Sequence, residues 1–395
     1  MKFLFASDAF KGTLTSEQTV ELLATAAKEV FGEIEDSGVP VADGGEGTTD
    51  AVVAAEKGEW IETVVCGPMM EPVRARYGRL DDHRAVIEMA AASGLPLVPI
   101  SKRNPLKATS YGTGELIRHA LDQGFTDISI AIGGSATNDG GMGCARALGA
   151  RFLDDRGGEL AGRGEDLEKV CAIDLAGLDP RVLSARITVM CDVTNPLCGE
   201  NGATCTFSAQ KGATPEAQAR LERGMMNYRD VIRRQFGVDP DAMPGAGAAG
   251  GLGAALGIFL GGEMKSGIDA VLDLIGFDER LEGADLVVTG EGRTDWQSCF
   301  GKVMRGVGER AARKGVVAVG LSGSLGRDAD KIYGHGIASL MPTVDAPMPL
   351  EAALEDAEAL YYRGAVRMFR FLRAGMAMKA GARTPADDRQ EARRE

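Results

Sequence analysis

The chain has 395 residues, 44% hydrophobic and 26% charged, with a net charge of −13 and 5% aromatics. That length exceeds one ordinary core, so two domains are expected. The acidity and the lack of a basic face argue against nucleic acid as a partner, and no run of ~20 apolar residues is there to span a membrane. Glycine is the unusual component, with 54 residues gathered into short turns, where ordinary usage is ~7%. Seven cysteines form no CxxC pair and there are only three histidines, which excludes the usual zinc spacings. An odd cysteine count without a secretory signal points to reduced thiols and a cytoplasmic location.

In chain order, one pattern recurs: an apolar run, a polar glycine-bearing turn, then a helix. Residues 3–7 lead through SDAFKG into a helix over 17–30, with Thr15 and Gln18 spaced as a capping box. Lys11 in that turn can neutralise a phosphate, and Asp8 can order the lysine or a metal; a solvated turn is the alternative. Residues 39–42 lead through DGGEG, where Asp43, Gly44, Gly45 and Glu46 suit a metal or a polyol, into a helix over 48–56. Residues 60–100 read as a strand-rich stretch. In NPLKATSYGTGELI, the N–H groups of Gly112, Thr113 and Gly114 open a helix and can hold a carboxylate or phosphate, or the segment is simply a capped helix start.

The run AIGGSATNDGGMG at 131–143 follows a strand over 127–132 and precedes a helix over 144–148. Ser135, Thr137, Asn138 and Asp139 crowd one turn, and so many polar groups after a buried strand need a ligand, water or each other. The strand over 187–190 ends in CDVTNP, which sets Asp192 where a carboxylate can bind Mg²⁺ or accept a hydroxyl proton. Lys211 of QKGAT stands before a helix over 215–236; its plain reading is a surface lysine. GAGAAG at 245–250 matches a dinucleotide fingerprint but lacks the strand that must precede it, so close helix packing accounts for it better. The strand over 286–289 leads into GEGRTDWQSCFGK, carrying Glu291, Arg293, Asp295 and Lys302 for an anion, or a surface ion-pair network. No Walker A signature is present. A last strand over 316–321 precedes SGSLG, and a helix over 350–373 is expected to pack through Leu354, Ala357, Leu360 and Tyr361.

Strands alternating with helices predict an α/β fold with a doubly wound parallel sheet, whose strand ends carry the ligand turns. The expected sheet domain comprises 1–59, 125–195 and 283–375; an inserted α/β domain comprises 60–124 and 196–282; residues 376–395 form a disordered tail.

Taken together, SDAFKGTLT, VADGGEGT, NPLKATSYGTGELI, IGGSATNDGG, CDVTNPLCGENGA with QKGAT, GAAGGLGAAL and VTGEGRTDWQS…GK resemble, in order and spacing over about 1–372, the bacterial glycerate kinase family of the first type. Each motif is weak alone; the ordered set is specific. Ser208-Ala209 replaces the Gly-Pro frequent in that family, and Trp296 and Cys299-Phe300 vary within the last motif. The resemblance implies a Rossmann- or flavodoxin-like domain, a second α/β domain, an active site in the cleft between them, and ATP-dependent phosphorylation of D-glycerate with Mg²⁺. The product it implies is 2-phosphoglycerate, with 3-phosphoglycerate or another hydroxy-acid substrate as alternatives. It leaves room for a homodimer. On that footing Asp192, Lys11 and Arg293 are expected to be catalytic, and Asp192, Asp295 and Asp8 to be metal ligands. Ser135, Asn138, Asp139, Asp43, Gly44, Gly45 and Glu46 are expected on glycerate, and Gly112, Thr113, Gly114, Lys211, Glu291 and Lys302 on the nucleotide. Rival readings are a nicotinamide-dependent hydroxy-acid oxidoreductase, which rests on GAGAAG, and a non-catalytic sugar-acid sensor.

Overall fold

The computed structural model describes residues 1–45 and 47–379. The chain divides into two compact units, one formed by Met1–Val41 with Gly276–Glu395 and the other by Ala42–Ile275.

The first unit holds a five-stranded sheet in the order Ile337–Pro342, Val317–Ser322, Leu286–Thr289, Lys2–Phe5, Glu35–Gly38, with every pair parallel. Its central strands are apolar throughout, as burial on both faces requires: Leu286–Thr289 is wholly buried, and so are Phe3, Leu4 and Phe5. Helix Ser16–Phe31 starts with the expected capping box, Thr15 accepting from Gln18 N and Gln18 Oε1 accepting from Thr15 N. It lays Leu23, Ala26, Ala27 and Val30 on the sheet, beside Tyr361, Ala365, Met368 and Phe369 of helix Ala357–Lys379. Phe3 stacks on Phe369 with centroids 6.1 Å apart, and Phe5 meets the same ring edge-on. Numbered along the chain, the strand order is 2-1-3-4-5, so the sheet reverses direction between Lys2–Phe5 and Leu286–Thr289. In open α/β sheets that reversal point is where ligands lodge, at the strands' carboxyl ends.

The second unit holds a six-stranded sheet. Glu263–Lys265, Arg186–Met190, Asp127–Ala131 and Arg84–Glu88 run parallel, and Pro72–Arg79 and Glu59–Cys66 continue it antiparallel. Thus the strand-rich reading of 60–100 holds, but the division of the chain differs from the expected one. Asp127 pairs with Arg84 on one side and Arg186 on the other, so both strands of 125–195 lie in the second sheet. The DGGEG turn and helix Thr48–Glu56 belong there too, and 276–282 belongs to the first unit. An apolar run ending in a glycine turn looks alike in any parallel sheet. What chose the partner was proximity along the chain: Arg84–Glu88 and Asp127–Ala131 are joined through helix Tyr111–Asp122, and consecutive strands usually pair.

Smaller differences concern ends. The expected strand over 39–42 is instead Glu35–Gly38, with Val39 N still bonded to the Phe5 carbonyl at 2.9 Å. The C-terminal helix breaks at Asp356 into Leu350–Glu355 and Ala357–Lys379. Leu360 and Tyr361 are core residues, whereas Leu354 is exposed. Residues 376–379 of the expected disordered tail are helical, and 380–395 lie outside the described residues.

Candidate active site

In the second unit, four parallel strands end side by side and deliver Met89–Ser93, Gly133–Asp139, Asp192 and Ser266–Gly267 to one edge. The 134–136 turn is laid along 93–95: Leu95 N bonds to the Gly134 carbonyl at 2.8 Å and Ala136 N to the Ser93 carbonyl at 2.9 Å. Asp192 is exposed, and its Oδ1 accepts from Gly267 N at 2.8 Å. Gly44, at φ +90°, lies against Gly267 so closely that a Cβ on it would stand 2.6 Å from Gly267 Cα and 3.5 Å from Asp192 Oδ2. A Cβ on Gly267 would overlap the Asp43 carbonyl. Asp43 Oδ1 accepts from Gly45 N at 3.1 Å, which holds this turn. Asp43, Gly44, Gly45 and Asp192 are therefore brought together around Gly267; Glu46 lies outside the described residues. Ser266–Gly267 was missed from sequence because the strand before it, Glu263–Lys265, is three residues long and mostly charged. A Ser-Gly pair opening a helix was the available signal.

Beneath this edge sits a second layer that sequence reasoning placed on the ligand. Asp139 is fully buried, and its carboxylate accepts four hydrogen bonds: Ser110 N at 2.7 Å, Ser110 Oγ at 2.8 Å, Gly141 N at 3.1 Å and Gly143 N at 3.3 Å. Burial raises its pKa above the usual carboxylate range, against the pull of those donors. It therefore ties together the starts of helices Tyr111–Asp122 and Met142–Ala147, and is enclosed where a wall of the glycerate pocket was expected. Asn138 is also fully buried, its Nδ2 donating to Thr204 Oγ1 at 3.1 Å. Lys211 is no surface lysine. Its Nζ donates to Ser135 Oγ and to the Thr137 carbonyl, each at 2.7 Å. Burial lowers its pKa to about 7, with the Asp139 charge opposing.

Gly112, Thr113 and Gly114, expected on a nucleotide, are buried as well. A Cβ on Gly112 would overlap the Cys66 carbonyl and one on Gly114 the Cys144 carbonyl, while Thr113 Oγ1 donates to Ser93 Oγ at 2.8 Å. These small residues let the helix approach its neighbours and present no phosphate cradle. GAGAAG behaves as the packing reading expects: Gly250, at φ +69°, abuts the Thr137 carbonyl, and the preceding element is the 3-10 turn Pro240–Ala242.

In the first unit the reversal point collects the remaining residues. Asp8 N bonds to the Gly290 carbonyl at 2.9 Å, and Phe10 Cα lies 3.8 Å from where a Cβ on Gly292 would sit, so the turn bearing Lys11 adjoins the GEG turn. Lys11 is exposed; Asp8 caps its own turn through Ala9 N at 2.7 Å. Glu291 is buried, accepting from Thr294 Oγ1 at 3.0 Å, and burial raises its pKa while Lys302 and its hydrogen bonds lower it. It braces the turn from within. Arg293 is exposed, with Nε 3.3 Å from Asp295 Oδ2; Asp295 in turn accepts from Gln297 N at 2.9 Å. Lys302 caps helix Val303–Lys314. Asp8 and Asp295 belong to this unit and Asp192 to the other; among the described residues no group of three or more His, Cys, Asp or Glu is placed to hold a metal by itself. All seven cysteines are free, and among the described residues no helix is long and apolar enough to cross a membrane.

The profile of the glycerate kinase family matches residues 3–373. The chain is 47% identical over 358 residues to the glycerate kinase of Bacillus subtilis, covering 90% of this chain and 94% of that one. It is 45% identical over 358 residues, with the same coverage, to the glycerate 2-kinase of Escherichia coli. A crystal structure from Salmonella typhimurium, provisionally named glycerate kinase 2, superposes with a TM-score of 0.86 at 43% identity, covering 95% of this chain and 99% of that one.

Proposed function

The chain belongs to the glycerate kinase family, and from that premise we propose that it transfers the γ-phosphoryl group of ATP to the 2-hydroxyl of D-glycerate. The glycerate oxygen attacks phosphorus, the bond to the ADP oxygen breaks, the hydroxyl proton passes to a protein base, and 2-phosphoglycerate and ADP leave. The name of the Escherichia coli relative supports the 2-position. The observation that carries the reading is Asp192: a carboxylate exposed at the carboxyl end of a parallel strand, its Oδ1 accepting from Gly267 N, with Gly44 of the 43–45 turn beside it. Phosphoryl transfer asks mainly for positioning and charge neutralisation, and an oriented carboxylate at a strand end answers the first demand.

Asp192 accepts the hydroxyl proton in this scheme. Asp43, Gly44, Gly45 and Ser135 contact glycerate, while Asp139, Asn138 and Lys211 hold the loop that bears Ser135. Lys11, Arg293 and Lys302 meet the phosphates. Mg²⁺ typically keeps several waters and takes one or two carboxylates together with substrate phosphates. Asp8 and Asp295 of the first unit and Asp192 of the second are hard oxygen donors of that kind, though among the described residues no three such groups stand together as a ready-made site for the ion. When bound, it offsets charge on the transferring phosphoryl group.

ADP release measured over a panel of hydroxy acids, with NMR of the product, tests the reading. Glycerate-dependent ADP release and 2-phosphoglycerate are expected. A 3-phosphoglycerate signal would move the attack to the other hydroxyl, and saturable NAD(H) binding without ADP release would favour an oxidoreductase. Asp192→Asn is expected to lower kcat/KM at least a hundredfold, ~2.7 kcal/mol of transition-state stabilisation; a loss under tenfold would remove Asp192 from the centre of the chemistry.

A further inference from the structure

The glycine turns that sequence reasoning offered to a nucleotide are filled by the protein itself, at Gly112–Gly114 by neighbouring carbonyls and at Gly250 by Thr137. The first unit has a different kind of surface at the carboxyl ends of Leu286–Thr289 and Val317–Ser322. Arg293–Thr294 pairs in parallel with Ser324–Leu325, Gly326 N bonds to the Thr294 carbonyl at 2.7 Å, and Trp296 N bonds to the Arg327 carbonyl at 3.1 Å. These bonds frame a cavity of about 420 Å³ whose lining includes Trp296, Phe300, Arg327, Asp328, Lys331 and His335. Trp296 is 47% exposed and Phe300 66%, their rings edge-on with centroids 5.9 Å apart. Asp328, held at φ +59°, has its carboxylate 3.9 Å from Arg327 Nε and 3.4 Å from Lys331 Nζ.

We propose that this cavity is the base-and-ribose pocket for the adenine nucleotide, an assignment that rests on the phosphotransferase reading above. Two exposed aromatic rings suit a flat heterocycle, because every nucleobase offers a π-face to stack on. Asp328 has the chemistry to accept from a ribose diol, and Arg327 and Lys331 leave the pocket net positive for a polyanionic ligand. The volume lies within the range of small-ligand sites, ~300–1,000 Å³. Chain continuity supplies the direction of the phosphates: Arg293 and Asp295 immediately precede Trp296, and Lys302 follows Phe300 by two residues at the start of a 12-residue helix. His335, which also lines the pocket, is bonded through Nδ1 to Glu309 at 2.8 Å.

The chain has two tryptophans. Trp60 lies on strand Glu59–Cys66 of the other unit, covered by the Arg76 guanidinium at 3.8 Å, so Trp60→Phe leaves Trp296 as the only fluorescent indole. In that variant, ADP and adenosine are expected to quench the emission saturably, and inorganic tripolyphosphate is not. In the otherwise unaltered chain, Trp296→Ala with Phe300→Ala is expected to raise KM for ATP about tenfold or more and leave KM for glycerate unchanged. Unchanged KM for ATP in a variant that still releases ADP with glycerate overturns the pocket and leaves the kinase reading standing. Quenching by ADP in a protein that releases no ADP with any hydroxy acid does the reverse. Quenching by tripolyphosphate alone, or emission that shifts with protein concentration and ignores nucleotide, also overturns the assignment, the latter in favour of a second copy of the chain.

Discussion

Both sheets end in edges braced by buried polar groups, Asp139 in the second unit and Glu291 in the first, but the edges differ in what they leave in solvent. In the second unit the polar residues behind the edge are enclosed and bonded to one another: Asp139 takes four donors, and Lys211 gives to Ser135 and Thr137. In the first unit Lys11, Arg293, Arg327 and Lys331 stand in the open, and the aromatic pair Trp296 and Phe300 stands with them. A small ligand such as glycerate offers few contacts, so its loop must be shaped before it arrives, and buried polar networks give that rigidity. A large polyanion brings many contacts, and charges left in solvent attract it without the cost of burying them. On the proposed assignment, the same alternation of strand and glycine turn would serve two kinds of recognition.

The comparison breaks first at Asp139. Asp139→Ala leaves three backbone N–H groups and a hydroxyl without their acceptor, and a loss on the order of 4 kcal/mol in unfolding free energy is expected by urea denaturation. A loss under about 1 kcal/mol would mean that the network does not hold the edge. Next come two cations of the first unit, the exposed Arg293 and the half-buried Lys302. Arg293→Ala with Lys302→Ala is expected to raise KM for ATP about thirtyfold, ~2 kcal/mol, with unfolding unchanged within ~0.5 kcal/mol. A matching rise in KM for glycerate would dissolve the distinction between the edges.

The third test uses pH. The Lys211 pKa is lowered from 10.5 to about 7 in the folded chain, chiefly by burial, so between those values the unfolded chain holds the extra proton. Lys211 then contributes a stability that rises with pH at up to ~1.4 kcal/mol per pH unit. The slope is read most cleanly between pH 7 and 9, because above that the Cys144, Cys191 and Cys198 thiols, pushed up by burial, pull the other way. Lys211→Met is expected to abolish that slope when unfolding is followed across the same range, and a slope that persists would assign it to another group. The smallest effect is at a helix cap: Thr15→Ala removes one side of the capping box and is expected to cost ~1 kcal/mol.

Much of this was legible locally. Thr15 and Gln18 announced their box, the apolar runs announced the buried strands, and GAGAAG, lacking a strand before it, announced packing. The position of Asp192 was legible: the structure places it, as expected, exposed directly after a buried strand. Asp139 was not, because a polar residue in a glycine-rich turn looks the same whether it faces a ligand or four internal donors. Gly112 and Gly114 misled for a related reason: a glycine admits a phosphate or a neighbouring backbone equally well.

The sequence by itself determined most element types and the family that its ordered turns resemble, since each turn depends on residues within one short segment. Tertiary structure alone decided which strands share a sheet, which polar residues are enclosed and where the first sheet reverses direction. Those depend on what arrives from far along the chain: Arg84 and Arg186 flanking Asp127, Ser110 reaching Asp139, and Leu286 lying beside Phe3.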